Sequence, residues 1–281
     1  MRTYEMEQNY SPLRYPGGKA KLANTIKSII NVNKIYDCSY IEPFAGGAGV
    51  GLSLLFSQYV KEIILNDINY QLFSFWKTLL ENPEYLIKKI YNTNLTIDEW
   101  KKQKYIFQNP QKYEQKKVGF SFFFLNRTNR SGILNAGVIG GQNQTSKYKI
   151  DARFNRDSLI NKIKIISDYK DKIRFYNMDT IDFLYHFQTN PRKTYFAYFD
   201  PPYFNKGQDL YTNFYTYNDH KNLSNVIQNT VPYKWVLTYD DAPEIKKLYK
   251  QRYITSFNLL YCAHDVKIGK ELLIFSDGLA F

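Results

Sequence analysis

Seven short apolar runs, rich in β-branched and aromatic residues, alternate with segments whose apolar positions recur at helical spacing. The runs that predict strands cover residues 40–43, 62–66, 173–177, 195–199, 234–238, 253–260 and 272–276. The segments that predict helices cover residues 50–58, 70–80, 180–187, 219–229 and 243–249. This alternation indicates an α/β sheet rather than an all-β fold or a helical bundle.

A long segment separates the second predicted strand from the third. About a hundred residues lie between them, which is too long for one connection within a compact sheet. We therefore predict an inserted subdomain over residues 76–164, with residues 1–75 and 165–281 forming the sheet domain. The first part of the insert is predicted to be helical, with Leu79, Leu86 and Ile90 on an apolar face. Residues 135–150 are predicted to form an extended hairpin or a flexible loop.

The tetrad Asp200-Pro201-Pro202-Tyr203 directly follows the fourth predicted strand. A carboxylate at the C-terminal end of a buried strand lies where open α/β sheets bind their ligands. The prolines stiffen the backbone, so the Asp200 carboxylate and the Pro201 carbonyl become two fixed acceptors beside an aromatic ring. This arrangement suits the amino group of a planar base, although an Asp-Pro pair is also ordinary turn chemistry.

A second candidate ligand site lies at residues 40–49, which run from a strand through a glycine-rich turn into a helix. Glycines let the backbone approach a ligand closely, and the helix N-terminus offers its dipole. Asp67 ends the next strand about twenty residues later, where an acid can accept both hydroxyls of a ribose. The turn matches neither a phosphate loop nor a full dinucleotide fingerprint, so a nucleoside-type ligand is favoured. Another glycine turn, at residues 13–19, contains Lys19, which could hold a carboxylate or lie in an ordinary surface turn.

The net charge of +12 is concentrated in one part of the chain. Residues 85–150 carry twelve basic and three acidic side chains, with aromatic residues interleaved, so the remainder is nearly neutral. Such a segment is typical of a surface that binds a polyanion, and a solvated helical face is the alternative. For the segment as a whole, nucleic acid is the favoured partner.

Nothing in the sequence indicates a membrane, secreted or metal-binding protein. No run is long and apolar enough to span a bilayer, and the N-terminus is polar with mixed charge. Cys38 and Cys262 lack metal-ligand spacing and suggest a reducing cytosol. His186, His220 and His264 are scattered, so we expect no metal site and a cytoplasmic protein.

Several motifs in fixed order make the chain resemble the Dam-type, D12 class DNA adenine-N6 methyltransferases, in the group whose target-recognition insert precedes the Asp-Pro-Pro-Tyr motif. These motifs are Tyr15-Pro16-Gly17-Gly18-Lys19, Glu42-Pro43-Phe44-Ala45-Gly46-Gly47, Asn66-Asp67, Asp179 and Asp200-Pro201-Pro202-Tyr203. The match spans almost the whole chain. It implies a Rossmann-like methyltransferase fold with a seven-stranded mixed sheet and an inserted, mostly helical target-recognition subdomain.

The resemblance also implies S-adenosyl-L-methionine as cofactor and the four tetrad residues, Asp200, Pro201, Pro202 and Tyr203, as the catalytic set. The residues that it assigns to the cofactor are Tyr15, Gly18, Lys19, Glu42, Pro43, Phe44, Gly46, Gly47, Asp67 and Asp179. Lys19 and Phe44 would lie along the methionine and adenosine portions, and Asp67 would take the ribose hydroxyls. Asp179 would hold the amino group of the cofactor's adenine or, alternatively, cap the helix that begins near Thr180.

By the same resemblance the substrate is an adenine flipped out of double-stranded DNA. Asn126, Arg127 and Arg130 lie in a segment similar to the family's Asn-Arg stretch, and are candidates for phosphate or base contacts. The hairpin motif of the GATC-reading members is not found in residues 136–150, so the target sequence stays open. We expect a monomer in a bacterial or phage-infected cell, with a cognate restriction endonuclease as a candidate partner.

Other functions remain open from the sequence. Methylation of cytosine N4 uses the same amino-group chemistry, whereas cytosine-C5 methylation would need a nucleophilic cysteine motif that is not found. Methylation of an RNA base or a protein glutamine is disfavoured by the basic insert and by a tetrad that begins with aspartate. A non-catalytic DNA-binding protein on a degenerate fold is disfavoured by the intact Asp67 and Asp200.

Tyr217 and His220 follow the tetrad at a predicted lid and helix start. They could contact the flipped base or the DNA backbone. Alternatively, Asp219 caps the helix and His220 is a surface residue.

Overall fold

The computed structural model describes residues 10–14, 22–187, 189–205, 215–262 and 266–281. The strands in these ranges are β1 (Cys38–Glu42), β2 (Val60–Asn66), β3 (Ile173–Tyr176), β4 (Tyr195–Phe199), β5 (Lys234–Asp240), β6 (Tyr253–Cys262) and β7 (Val266–Phe275). The helices are α1 (Leu22–Val32), α2 (Gly49–Phe56), α3 (Tyr70–Glu81), α4 (Pro83–Asn92), α5 (Ile97–Gln108), α6 (Gln115–Thr128), α7 (Arg156–Asp168), α8 (Thr180–His186), α9 (Tyr217–Thr230) and α10 (Pro243–Leu248).

The seven strands form one mixed sheet in the order β3-β2-β1-β4-β5-β7-β6. The first five strands are parallel, and β7 is antiparallel to both of its neighbours. The strand order reverses between β1 and β4, which is the switch point where such sheets bind ligands. The predicted α/β fold with a seven-stranded mixed sheet is therefore confirmed.

Both faces of the sheet are buried, which explains why its central strands read as continuous apolar runs. Successive residues alternate between the faces: Tyr40 and Phe196 belong to one hydrophobic cluster, and Ile41 and Ala197 to the other. Within the described residues, no helix is both long and apolar enough to cross a bilayer.

Helices α4 to α7 lie between β2 and β3, in the segment predicted to be an insert. The predicted apolar face is buried, with Leu79, Leu86 and Ile90 inaccessible to solvent. Gly119 lets α6 approach α3 closely, because a Cβ at this position would lie 2.4 Å from the carbonyl oxygen of Ser74. Residue 76, the predicted start of the insert, lies inside helix α3. Side chains of α3 and α4 belong to the same hydrophobic cluster as side chains of the sheet, so the first insert helices continue the core of the sheet domain.

Residues 135–150 form a chain of turns instead of two paired strands. One isolated antiparallel bridge joins Asn129 to Val138. The Gln144 side chain holds the turns together, since its amide group donates to Ile139 O at 2.8 Å and accepts from Ile150 N at 2.9 Å. Of the two predicted alternatives, the structure therefore has the loop.

Candidate active site

The turn after β1 contains a backbone conformation that favours glycine. Gly46 has φ 47°, in the left-handed region, and its peptide group is held on both sides. Its N–H donates to Asp67 Oδ2 at 3.0 Å, and its carbonyl accepts from the Trp76 indole at 3.1 Å. Ala48, at φ 50°, precedes α2 without a side-chain cap. The turn thus presents backbone groups at a helix N-terminus.

Asp67 connects the ends of β1 and β2. One carboxylate oxygen accepts from Gly46 N and the other from Asn69 N, each at 3.0 Å. Burial raises the pKa of the Asp67 carboxyl to about 6, although these two N–H groups oppose the shift. Asn66, the preceding residue, bonds Pro43 O and both backbone groups of Met178. The ends of three strands are therefore tied into one edge.

Asp179 is the N-cap residue directly before helix α8 and is exposed. Its Oδ1 accepts from Ile181 N at 2.8 Å and from Asp182 N at 3.4 Å. The helix-cap alternative is therefore present in the structure. Because one carboxylate oxygen makes both contacts, this cap does not use the acceptor capacity of the other oxygen.

The tetrad leaves β4 beside β1, with Asp200 half-buried and Pro201 buried. Thr238 on β5 donates to Asp200 Oδ1 at 2.8 Å, and the Tyr198 hydroxyl lies 2.9 Å from the same threonine oxygen. Asp200 is also near Glu42, since its charge contributes to the raised pKa of Glu42. The catalytic candidates and the glycine turn thus occupy neighbouring strand ends.

Tyr203 is only 5% exposed, and its hydroxyl donates to Glu271 Oε1 at 2.5 Å. The next two backbone N–H groups, of Phe204 and Asn205, each donate to Asp240 at 2.8 Å. Sequence reasoning did not single out Asp240 or Glu271. A signal was available, because each acid borders an apolar run that predicts a strand: Asp240 follows the run 234–238, and Glu271 directly precedes the run 272–276.

Glu42 lies under the glycine turn, 4% exposed, and accepts from Gly51 N at 3.2 Å. Burial raises the pKa of its carboxyl to about 8; the bond from Gly51 opposes this shift and the charge of Asp200 adds to it. The side chain therefore supports the start of α2 in this structure.

Glu42 should make the stability of the protein depend on pH. The folded state keeps the Glu42 proton up to about pH 8, whereas the unfolded chain loses it near the ordinary pKa of 4.5. The contribution of Glu42 to the free energy of unfolding should therefore fall between these values, by about 1 kcal/mol per pH unit. Urea unfolding of the wild type and Glu42→Gln at several pH values measures this difference. Parallel pH profiles for the two proteins would contradict the assignment.

The three predicted DNA-contacting residues have different surroundings. Asn126 is buried and bonds both backbone groups of Arg14, so it holds the segment before residue 15 against the insert. Arg127 donates to Arg153 O at 2.7 Å, and burial, together with the charges of Arg14 and Arg153, lowers its pKa to about 10. Arg130 is exposed beside Gly137.

The structure separates the two interpretations of residues 215–220. The Asp219 cap is present as a complete capping box with Thr216, but His220 is not a surface residue. It is 1% exposed, and its Nδ1 lies 2.8 Å from the Tyr239 hydroxyl. The alternative in which His220 is a surface residue is therefore wrong in that part, because His220 lies on the inner face of α9. Tyr217 is 44% exposed.

Three of the remaining cofactor candidates lie in the turn after β1. Pro43 and Gly47 are buried in the turn, and the half-buried Phe44 ring packs edge-on against Tyr215 with centroids 6.2 Å apart. Tyr15, Gly18 and Lys19 lie outside the described residues.

Comparison with known proteins identifies the family. The model of the D12 class N6 adenine-specific DNA methyltransferases matches residues 15–268. The Type II methyltransferase M.MjaIII of Methanocaldococcus jannaschii is 28% identical over 68% of this chain and 68% of its own. The Type II methyltransferase M.CviBI of Paramecium bursaria Chlorella virus NC1A is 25% identical over 84% of this chain and 87% of its own. Among solved structures, a SAM-dependent methyltransferase from Agrobacterium tumefaciens covers 91% of this chain and 61% of its own, with 10% identity and a TM-score of 0.41. The family match favours adenine over the cytosine alternative, and the chain belongs to the D12 class N6 adenine-specific DNA methyltransferase family.

Proposed function

We propose that this DNA adenine methyltransferase binds S-adenosyl-L-methionine on the turn after β1 and holds the flipped adenine at the tetrad after β4. One observation carries the proposal: Asp67, the glycine turn and Asp200 lie at the carboxyl ends of three adjacent strands, β2, β1 and β4. In open α/β sheets this is where ligands bind.

The described residues fit the cofactor. Each Asp67 oxygen accepts one backbone N–H, and a carboxylate oxygen has lone pairs for a second donor, as two ribose hydroxyls would require. Phe44 offers an apolar surface beside the turn, and the second Asp179 oxygen could accept from the adenine amino group. The family resemblance alone adds Tyr15, Gly18 and Lys19 to the proposed site, since they lie outside the described residues. When bound, the cofactor supplies an electrophilic methyl group.

The protein's part in the reaction is to place and polarise the target amino group. Asp200 and the Pro201 carbonyl accept the two N6 hydrogens, which draws the nitrogen toward sp³ geometry and directs its lone pair toward the methyl donor. Thr238 holds the Asp200 carboxylate in place. Most of the rate enhancement would come from orientation and preorganised acceptors. Stacking of the base on Tyr203 requires this ring to become more exposed than the 5% seen here.

Four cations form a candidate phosphate-binding cluster on the DNA side: Arg14, Arg127, Arg153 and Lys162. Burial and neighbouring positive charge lower the pKa of Arg14, Arg127 and Lys162. Arg14 and Arg127 donate to backbone carbonyls, of Asn129 and of Arg153, so these bonds leave their charges unneutralised. Accumulated positive charge of this kind favours binding of an anion such as a DNA phosphate.

DNA affinity should therefore fall steeply with added salt, and Arg127→Gln should make the dependence shallower. Losing one phosphate contact lowers the slope of log K against log salt by about 0.9. Fluorescence anisotropy titrations over a range of salt concentrations measure this slope. Lys61→Gln is a matched control, because Lys61 is exposed at the opposite end of the sheet. A flat salt response, or equal slopes for the two variants, would count against this DNA face.

The enzyme is proposed to act as a monomer on double-stranded DNA in the cytoplasm, beside a restriction endonuclease that recognises the same sequence. The Type II names of two relatives support the pairing with an endonuclease. Sequencing DNA from cells that express the protein, with detection of modified bases, tests the function. N6-methyladenine in a fixed motif is expected, whereas N4-methylcytosine or unmodified DNA would contradict it.

A further inference from the structure

We propose that Asp240 and Glu271 are positioning residues for residues 200–203, the tetrad loop. They hold this loop against strands β5 and β7 of the sheet. The two residues are direct partners in the antiparallel register of β5 and β7. Asp240 is 5% exposed and Glu271 is fully buried. The inference rests on the proposed role of Asp200, and it adds the residues that fix the loop on which Asp200 lies.

The contacts form a series along the loop. Thr238, on β5, donates to Asp200 Oδ1 at 2.8 Å. Glu271 accepts from the Tyr203 hydroxyl at 2.5 Å, and the two oxygens of Asp240 accept from the next two backbone N–H groups at 2.8 Å. Strands β5 and β7 thus hold the loop at its first residue, at its last residue and just beyond it.

The burial and direct pairing of Asp240 and Glu271 do not favour folding by themselves. Buried acids require compensating hydrogen bonds, and side chains of like charge directly opposite each other in an antiparallel pair are unfavourable. Here three residues that follow Asp200 donate such bonds: Tyr203 to Glu271, and Phe204 and Asn205 to Asp240. A reacting group displaced by about 1 Å can lose roughly 10²-fold in rate, so fixing this loop has a direct catalytic consequence.

Asp240→Asn tests the positioning role of Asp240. The variant is isosteric, but an amide offers only one acceptor oxygen to two N–H donors. We expect the single-turnover rate of methyl transfer to fall by roughly 10–100-fold, while cofactor and DNA dissociation constants stay within about twofold. Asp241→Asn is the matched control, since Asp241 pairs at the surface with Lys246 and Lys270, and its rate should not change.

A double-mutant cycle of Glu271 and Tyr203 tests the positioning role of Glu271. If Glu271 acts through the Tyr203 hydroxyl, Glu271→Leu should slow transfer, and adding Tyr203→Phe should cost little more, because the hydrogen bond between the two side chains is already lost. Glu271→Gln keeps an acceptor oxygen and should restore much of the rate. Cofactor titration of each variant confirms that it is folded.

Wild-type rates in Asp240→Asn, or additive losses in the cycle, would overturn the inference. Those results are distinguishable from failure of the proposed function, which would appear as methyl transfer by Asp200→Ala. An active wild type with an inactive Asp200→Ala and a fully active Asp240→Asn would reject the positioning role alone.

Discussion

Replacing Asp200 with alanine should reduce methyl transfer by roughly 10²–10³-fold or more, since removing one preorganised polar group from an active site typically costs this much. The substitution removes the only carboxylate of the tetrad and leaves the Pro201 carbonyl as the one remaining acceptor assigned to the amino group. Transfer of a radiolabelled methyl group to DNA measures the loss.

Cofactor binding provides the control for this variant. Calorimetry should give a cofactor affinity within about twofold of wild type, because Asp200 is not assigned to the cofactor. Asp171→Ala is a matched substitution at an exposed aspartate just before β3, at the opposite end of the sheet, and should leave transfer unchanged. Sustained turnover by Asp200→Ala would remove the central role given to this residue.

Replacing Asp67 with alanine should weaken cofactor binding by roughly 10²-fold. Each hydrogen bond from a ribose hydroxyl to a carboxylate contributes about 1.5–3 kcal/mol, and about 1.4 kcal/mol corresponds to a tenfold change. The variant also frees Gly46 N and Asn69 N, which shape the turn. Isothermal titration with the cofactor measures the change.

DNA affinity separates this effect from general damage. It should stay within about twofold in Asp67→Ala, since Asp67 is assigned to the cofactor and its hydrogen bonds go to Gly46 and Asn69. Asp67→Asn keeps one acceptor oxygen and should bind the cofactor with intermediate affinity. Unchanged cofactor binding in both variants would mean that Asp67 does not take the ribose.

The sequence was sufficient to predict the features that depend on local chain order. Apolar runs that end in an acid or a glycine turn placed Glu42, Asp67 and Asp200 at strand ends, and the structure has them there. The family resemblance implied a seven-stranded mixed sheet, and the order of its strands comes from the structure. Periodicity alone could not supply it, because helical and strand patterns do not encode which strands are neighbours.

Contacts between distant parts of the chain could not be predicted. Asp240 bonds residues 36 and 35 positions away, and Glu271 bonds Tyr203 across 68 positions. The same limitation applies to His220, for which a surface position was one of two alternatives, since its contact with Tyr239 joins α9 to β5. It also explains the length of β7. This strand pairs with β6 from Val266 onward, whereas the predicted strand begins only at residue 272.

The most direct test is a structure of the protein with a cofactor analogue and an unmethylated duplex. The duplex contains the motif in which sequencing has found the methylated adenine. We expect the flipped adenine's N6 within about 3.2 Å of both an Asp200 carboxylate oxygen and the Pro201 carbonyl oxygen. An adenine that remains stacked in the duplex, or an N6 beyond hydrogen-bond distance of both acceptors, would contradict the account.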